Sequence, residues 1–193
     1  MKRSKMIWAF LAVAALIALP VLAQEATKAA STGGHSPHET FSKVIDGNRV
    51  TIVYGRPYSK DYRNGDIRKI WGTLVPWGKV WRTGSDEATL LITQKPIKFG
   101  DLVVPAGAYT LFSLPMEDGT NKLIVNKQIG QWGLEYHEDQ DLGRADMKKS
   151  DLDPQVDQFT MAIEKNPDAA AGGGLLELKW EKTQYSIGFT LVK

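Results

Sequence analysis

The chain contains no cysteine in 193 residues. That excludes disulfide staples, thiolate metal sites, a thiol nucleophile and the lipid-modified cysteine of bacterial lipoproteins, so the fold rests on a hydrophobic core of its own. Histidine is scarce, with three in the chain. His35, His38 and Glu39 near the start, with His137 and Glu138 later, are the only set resembling metal ligands, and they lack a tight ligand spacing. No cofactor is therefore expected; if a metal were held, His38 and His137 are its candidate ligands.

A long apolar run occurs only at the beginning. Lys2, Arg3 and Lys5 precede the stretch Met6 to Leu19, and Val21-Leu22-Ala23 offers small residues for cleavage before Gln24. The run is shorter than the roughly 20 residues that span a bilayer. Residues 1–23 are thus expected to be a cleaved signal peptide, the chain's one contact with a membrane, and the mature protein to be periplasmic or extracellular. The formal charge of +2 comes from this leader: three basic residues leave with it, and 21 basic then face 22 acidic. The mature charge of about −1 lacks the basic surplus of a nucleic-acid binder.

Residues 24–37 are small and polar and read as a flexible lead-in, with a single domain expected over 38–193. Helical periodicity is missing beyond one short turn at Ile67 to Leu74, expected to send Ile70, Trp71 and Leu74 to the core. Period-two alternation dominates instead. Thr40 to Ile45 and Arg49 to Gly55 flank Asp46-Gly47-Asn48, a strong hairpin signal, with Val50, Ile52 and Tyr54 on one face. Strands follow at Ala88 to Thr93, Pro96 to Phe99, Leu102 to Val104, Ala108 to Leu114 and Leu123 to Val125. Leu142 to Lys149, Val156 to Lys165, Leu175 to Lys182 and Tyr185 to Val192 give four more, separated by Asp153-Pro154, an Ala/Gly loop and a short turn. Such a series predicts an all-β fold, an antiparallel β-sandwich or jelly roll, with an up-and-down barrel as the competing architecture.

One stretch concentrates the chemistry. Val75-Pro76-Trp77-Gly78-Lys79-Val80-Trp81-Arg82-Thr83-Gly84-Ser85-Asp86-Glu87 carries indoles, a guanidinium, hydroxyls and two carboxylates between glycines. Together with Tyr54-Gly55-Arg56-Pro57, Pro105-Ala106-Gly107-Ala108-Tyr109-Thr110-Leu111-Phe112 and Gln131-Trp132-Gly133, it resembles a family of exported bacterial proteins, domain of unknown function 2911. The resemblance covers nearly the whole mature domain and implies an exported single-domain protein, with no activity to carry over. Many members have Ala-Asn-Glu after Arg-Thr-Gly, where this chain has Ser85-Asp86-Glu87.

The residues themselves offer several chemistries. Arg82 is able to clamp a carboxylate, phosphate or sugar hydroxyl, or else to pair with Asp86 or Glu87 and brace a turn. Paired-carboxylate hydrolysis needs a second acid in one cleft, with Glu135, Glu138 and Asp139 as candidates, because neighbours on a strand point to opposite faces. Ser59 and Ser85 sit in no nucleophile-elbow motif, and Gly172-Gly173-Gly174 lacks the context of a phosphate loop. Aromatics gather in the irregular segments: Tyr54, Tyr58, Tyr62, Trp77, Trp81, Trp132 and Tyr136. Rings beside arginines and carboxylates suit a small molecule, a glycan or an envelope partner. The expectation is a non-enzymatic binding module whose ligand meets Tyr54, Arg56, Trp77, Arg82, Thr83, Asp86, Glu87 and Trp132. A periplasmic hydrolase using carboxylates or a metal-bound water near Arg82 to Glu87, and a structural or assembly role in the envelope, are the alternatives.

Overall fold

The computed structural model describes residues 36–168 and 172–192. The expected signal peptide, His35 and nearly all of the polar lead-in lie outside the described residues. What is described is all-β: β1 (His38–Ile45), β2 (Asn48–Gly55), β3 (Thr89–Thr93), β4 (Ile97–Phe99), β5 (Leu102–Val104), β6 (Gly107–Pro115), β7 (Asn121–Asn126), β8 (Asp141–Lys165) and β9 (Gly174–Leu191). A single 3-10 turn, Glu138–Gln140, precedes β8. The nine strands form one antiparallel sheet in the order β1-β2-β3-β6-β7-β8-β9-β4-β5.

That order makes two layers. The β4–β5 hairpin leaves its sequence neighbour β3 and joins the far edge beside β9, so β3 pairs directly with β6. β8 belongs to both layers: Asp141 to Met147 pair with β7, and Lys148 to Lys165 with β9. Both layers bury one core, which takes Ile52 and Tyr54 from β2, Leu111 from β6, Phe159 and Met161 from β8, and Trp180 and Phe189 from β9. This is the expected antiparallel, sandwich-like architecture. One corner closes where the end of β2 meets β8, through Arg56 Nη2 to Thr160 Oγ1 at 2.9 Å and the bridge Tyr58↔Gln158.

Local chemistry accounts for most elements. Asp46 and Gly47, both at positive φ, make the two-residue turn that sets the β1–β2 register Ile45↔Asn48. In β6, Tyr109 and Leu111 face the main core while Phe112 and Leu114 face a smaller cluster with Ala88, Val80, Ile124 and Tyr136, as alternation requires.

Two expectations are corrected. The four C-terminal strand segments are two long strands, β8 and β9. In β9 the buried set changes parity, from Leu176, Leu178 and Trp180 to Tyr185, Ile187 and Phe189. Glu181 at φ 52° makes the change: one left-handed residue opposite Val156 slips the pleat without ending the strand. The segment Ile67 to Leu74 is likewise no helical turn. Gly72 at φ 80° bends it back so that Val75 N–H bonds Ile70 O at 2.9 Å, and of the expected core residues Ile70 is buried, Trp71 half-buried and Leu74 exposed.

Candidate functional site

The segment after Val75 does not pair as a long strand. Trp81 exchanges both backbone hydrogen bonds with Ser113 of β6 at 2.8 Å, and the chain then bulges outward before rejoining the sheet as β3. The bulge is held from three sides. Thr83 Oγ1 donates to Ser113 Oγ at 3.2 Å, Thr89 Oγ1 donates to Thr83 O at 2.8 Å, and Gly133 N–H donates to Asp86 O at 2.9 Å. Its inner side runs against the end of β2 so closely that a Cβ on Gly55 would stand 2.2 Å from Ser85 O. Thr83 at φ 53° and Asp86 at φ 65° are both left-handed. For a β-branched threonine this conformation is strained, and it persists only because the surrounding contacts over-determine it.

The bulge forms one wall of a cavity of about 480 Å³. Arg82, Ser85 and Asp86 present polar groups there; Tyr58, Tyr62, Trp81, Phe112, Tyr136 and Trp180 supply aromatic surface, and Lys60 and Arg68 come from the loop that follows β2. Three buried atoms of the polar wall have no protein hydrogen-bond partner: Arg82 Nε, Ser85 Oγ and Asp86 Oδ2. Burial pushes the Arg82 guanidinium below the ordinary arginine value, and the nearby charge of Asp86 opposes this only in part. Among the described residues Arg82 forms no ion pair, so it does not brace the turn through Asp86 or Glu87.

The structure brings some expected residues to the cavity and places others elsewhere. Arg82 and Asp86 line it. Thr83 is fully buried in the support beneath. Glu87 turns to His38, whose Nε2 lies 2.8 Å from Glu87 Oε2 and 3.9 Å from Asp86 Oδ2. The left-handed turn at Asp86 thus lets adjacent acids converge on one ring, which a regular strand would forbid. Tyr54 and Arg56 belong to the scaffold: Tyr54 O–H donates to Glu39 Oε2 at 2.9 Å and accepts Met161 N–H at 3.0 Å, while Arg56 bonds Phe159 O, Thr160 Oγ1 and Glu39. Trp77 stacks on Trp71 at 6.1 Å and is not a cavity wall. Trp132 stands 43% exposed beside the bulge, held by the bridge Glu87↔Trp132, outside the lining.

Of the acids weighed for catalysis, Asp86 is the one carboxylate among the described lining residues; Glu138 pairs with Arg144 at 2.7 Å and Asp139 accepts from Gln140. No group of three or more His, Asp or Glu placed to hold a metal occurs among the described residues. Ser85, Lys60, Arg68, Leu134 and Trp180 were not among the expected ligand contacts. Lys60 lies in a stretch of tyrosines and mixed charges after β2, a composition that marks functional loops, while Arg68 carries no such signal. Ser85 sits inside the chemically dense Val75–Glu87 segment beside Asp86, whereas Trp180 carries no such signal, because only the fold brings it to the cavity.

A family model described as protein of unknown function (DUF2911) matches residues 36–189. The chain belongs to this family. No curated protein matches it, and no solved structure does. The DUF2911 region begins at Ser36, itself a lining residue, and reaches Phe189 in β9, so every residue of the cavity wall falls inside it.

Proposed function

We propose that this DUF2911 protein is an exported binding module that takes a small organic molecule into the Arg82 cavity. The supporting observation is the coincidence, in one recess, of aromatic walls with three buried polar atoms that the protein leaves unpaired. Buried polar groups without partners are costly, and a scaffold built only for stability would pair or remove them. The volume lies within the usual range of small-molecule pockets, and its mixture of aromatic surface with a few convergent polar groups is the composition of such sites. Exposed apolar side chains also collect at this mouth: Tyr58, Tyr62, Leu74 and Leu134 are all exposed and all line the cavity.

Thermal unfolding against a library of sugars, organic acids and amino acids tests the proposal. At least one class raises Tm of the native sequence and leaves Arg82→Met unmoved, while Tyr54→Phe, a scaffold change, retains the response. A library that shifts neither protein, or shifts native and Arg82→Met alike, contradicts it.

A further inference from the structure

We infer that the ligand of this cavity is an organic acid: a carboxylate with a hydroxyl or amino group close to it. The inference rests on the reading of the cavity as a ligand site and specifies what enters it.

Charge comes first. Lys60, Arg68 and Arg82 line the cavity against the single carboxylate of Asp86. Of the nearby acids, Asp61 takes a two-pronged contact from Arg63 at 3.0 and 2.7 Å and also faces the charge of Arg68, while Glu87 accepts from His38. Arg68 itself donates to the carbonyls of Tyr58 and Ser59 and forms no ion pair among the described residues. Lys60 keeps its charge at the exposed rim, whereas Arg82 carries its charge into the desolvated recess, where an anion neutralises it and a neutral ligand does not.

Geometry narrows the anion. The unpaired Nε of Arg82 belongs to a planar fork whose preferred partner is a planar carboxylate or a phosphate. Asp86 decides between them. Its buried Oδ2 accepts no hydrogen bond within the protein, His38 Nε2 standing 3.9 Å away, and when ionised it only accepts, so a ligand donor completes it, with Ser85 Oγ beside it able to donate or accept. A dianionic phosphate would set two charges against Asp86 where a carboxylate sets one. A hydroxy acid, sugar acid or amino acid gives Arg82 its anion and Asp86 its donor together, with Tyr58, Trp81 and Tyr136 left to cover the apolar face.

The test is the thermal shift of the purified protein at constant ionic strength with D-glucuronate and phenyllactate, against D-glucose and D-glucose 6-phosphate. At ten times its dissociation constant, at least one of the two hydroxy acids is expected to raise Tm by about 3–6 °C. The shift is expected to vanish in Arg82→Met and to need at least tenfold more acid in Arg82→Lys, which keeps the charge and loses the fork. If Arg82→Met does not fold, Ser85→Ala and Arg82→Lys carry the comparison. Glucose as effective as glucuronate overturns the acid while leaving a ligand site. Glucose 6-phosphate more effective than both hydroxy acids overturns the carboxylate. No shift with any of the four overturns this inference; the binding reading falls with it only if the wider library of sugars, organic acids and amino acids also leaves Tm unmoved.

Discussion

Gly133 lies directly on the stem of Arg82: a Cβ built on it would stand 2.1 Å from Arg82 Cδ and 2.7 Å from Asp86 O. The backbone of the 129–134 loop therefore fixes where the guanidinium sits. Gly133→Ala is expected to cost about 1–3 kcal/mol, as overpacking does, and to displace Arg82. Urea unfolding measures the cost. The displacement appears as a loss of ligand response greater than that of Ile129→Ala, an exposed position of the same loop.

Asp86 carries both backbone strain and a site charge, and two substitutions separate them. Asn tolerates the left-handed region and Ala does not, so Asp86→Asn is expected to exceed Asp86→Ala in stability by about 1 kcal/mol while both lose ligand response. Equal stabilities would mean that the φ of 65° imposes no cost.

Tyr54 and Arg56 read as site residues in the sequence and act as scaffold in the fold. Tyr54→Phe removes the hydroxyl that accepts Met161 N–H and donates to Glu39, leaving a buried donor on β8 unpaired. Equilibrium unfolding is expected to show a loss of about 1–3 kcal/mol, with ligand response intact.

The pH dependence has a named contributor in Glu181. Burial, and secondarily the charge of Asp157, raises its carboxyl above the ordinary value. Protonation is thus easier in the folded chain than in the unfolded one, so the ionised group opposes folding. The opposition is absent below the unfolded value of about 4.3, grows as pH rises through the raised folded value, and is constant above it. Glu181→Gln is expected to be the more stable protein at pH 7, with the difference closing as pH falls towards 4. Unfolding free energies of both proteins across pH 4 to 8 check the sign; a difference that widens on acidification contradicts it.

How much of this was legible in the sequence depends on the range of the interaction. The β1–β2 hairpin announces itself because Asp46-Gly47 chooses its own turn, and the two faces of β6 because alternation is local. β8 and β9 were divided because Asp153-Pro154 and the sequence around Glu181 look like strand ends, whereas cross-strand pairing carries both strands through. Arg82 and Asp86, which line the cavity, stand out in the sequence because their segment is chemically dense. Trp77 reads as a ligand wall in the sequence and lies outside the cavity lining, because a ring in a loop gives no sign of which neighbour covers it, and here Trp71 does. Trp180 reaches the cavity through contacts between distant segments, which no local pattern encodes.

The proposed ligand site turns on Arg82 being unpaired, and that is measurable without any ligand. The decisive experiment is the unfolding free energy at pH 7 of the native protein and of Arg82→Met, which keeps the apolar stem against Gly133 and removes the buried charge. If the guanidinium is held for a ligand, the variant is as stable as the native protein within about 0.5 kcal/mol, or more stable by about 1 kcal/mol. A loss of about 3 kcal/mol or more would show that Arg82 satisfies buried carboxylates, and that the cavity wall is scaffold rather than site.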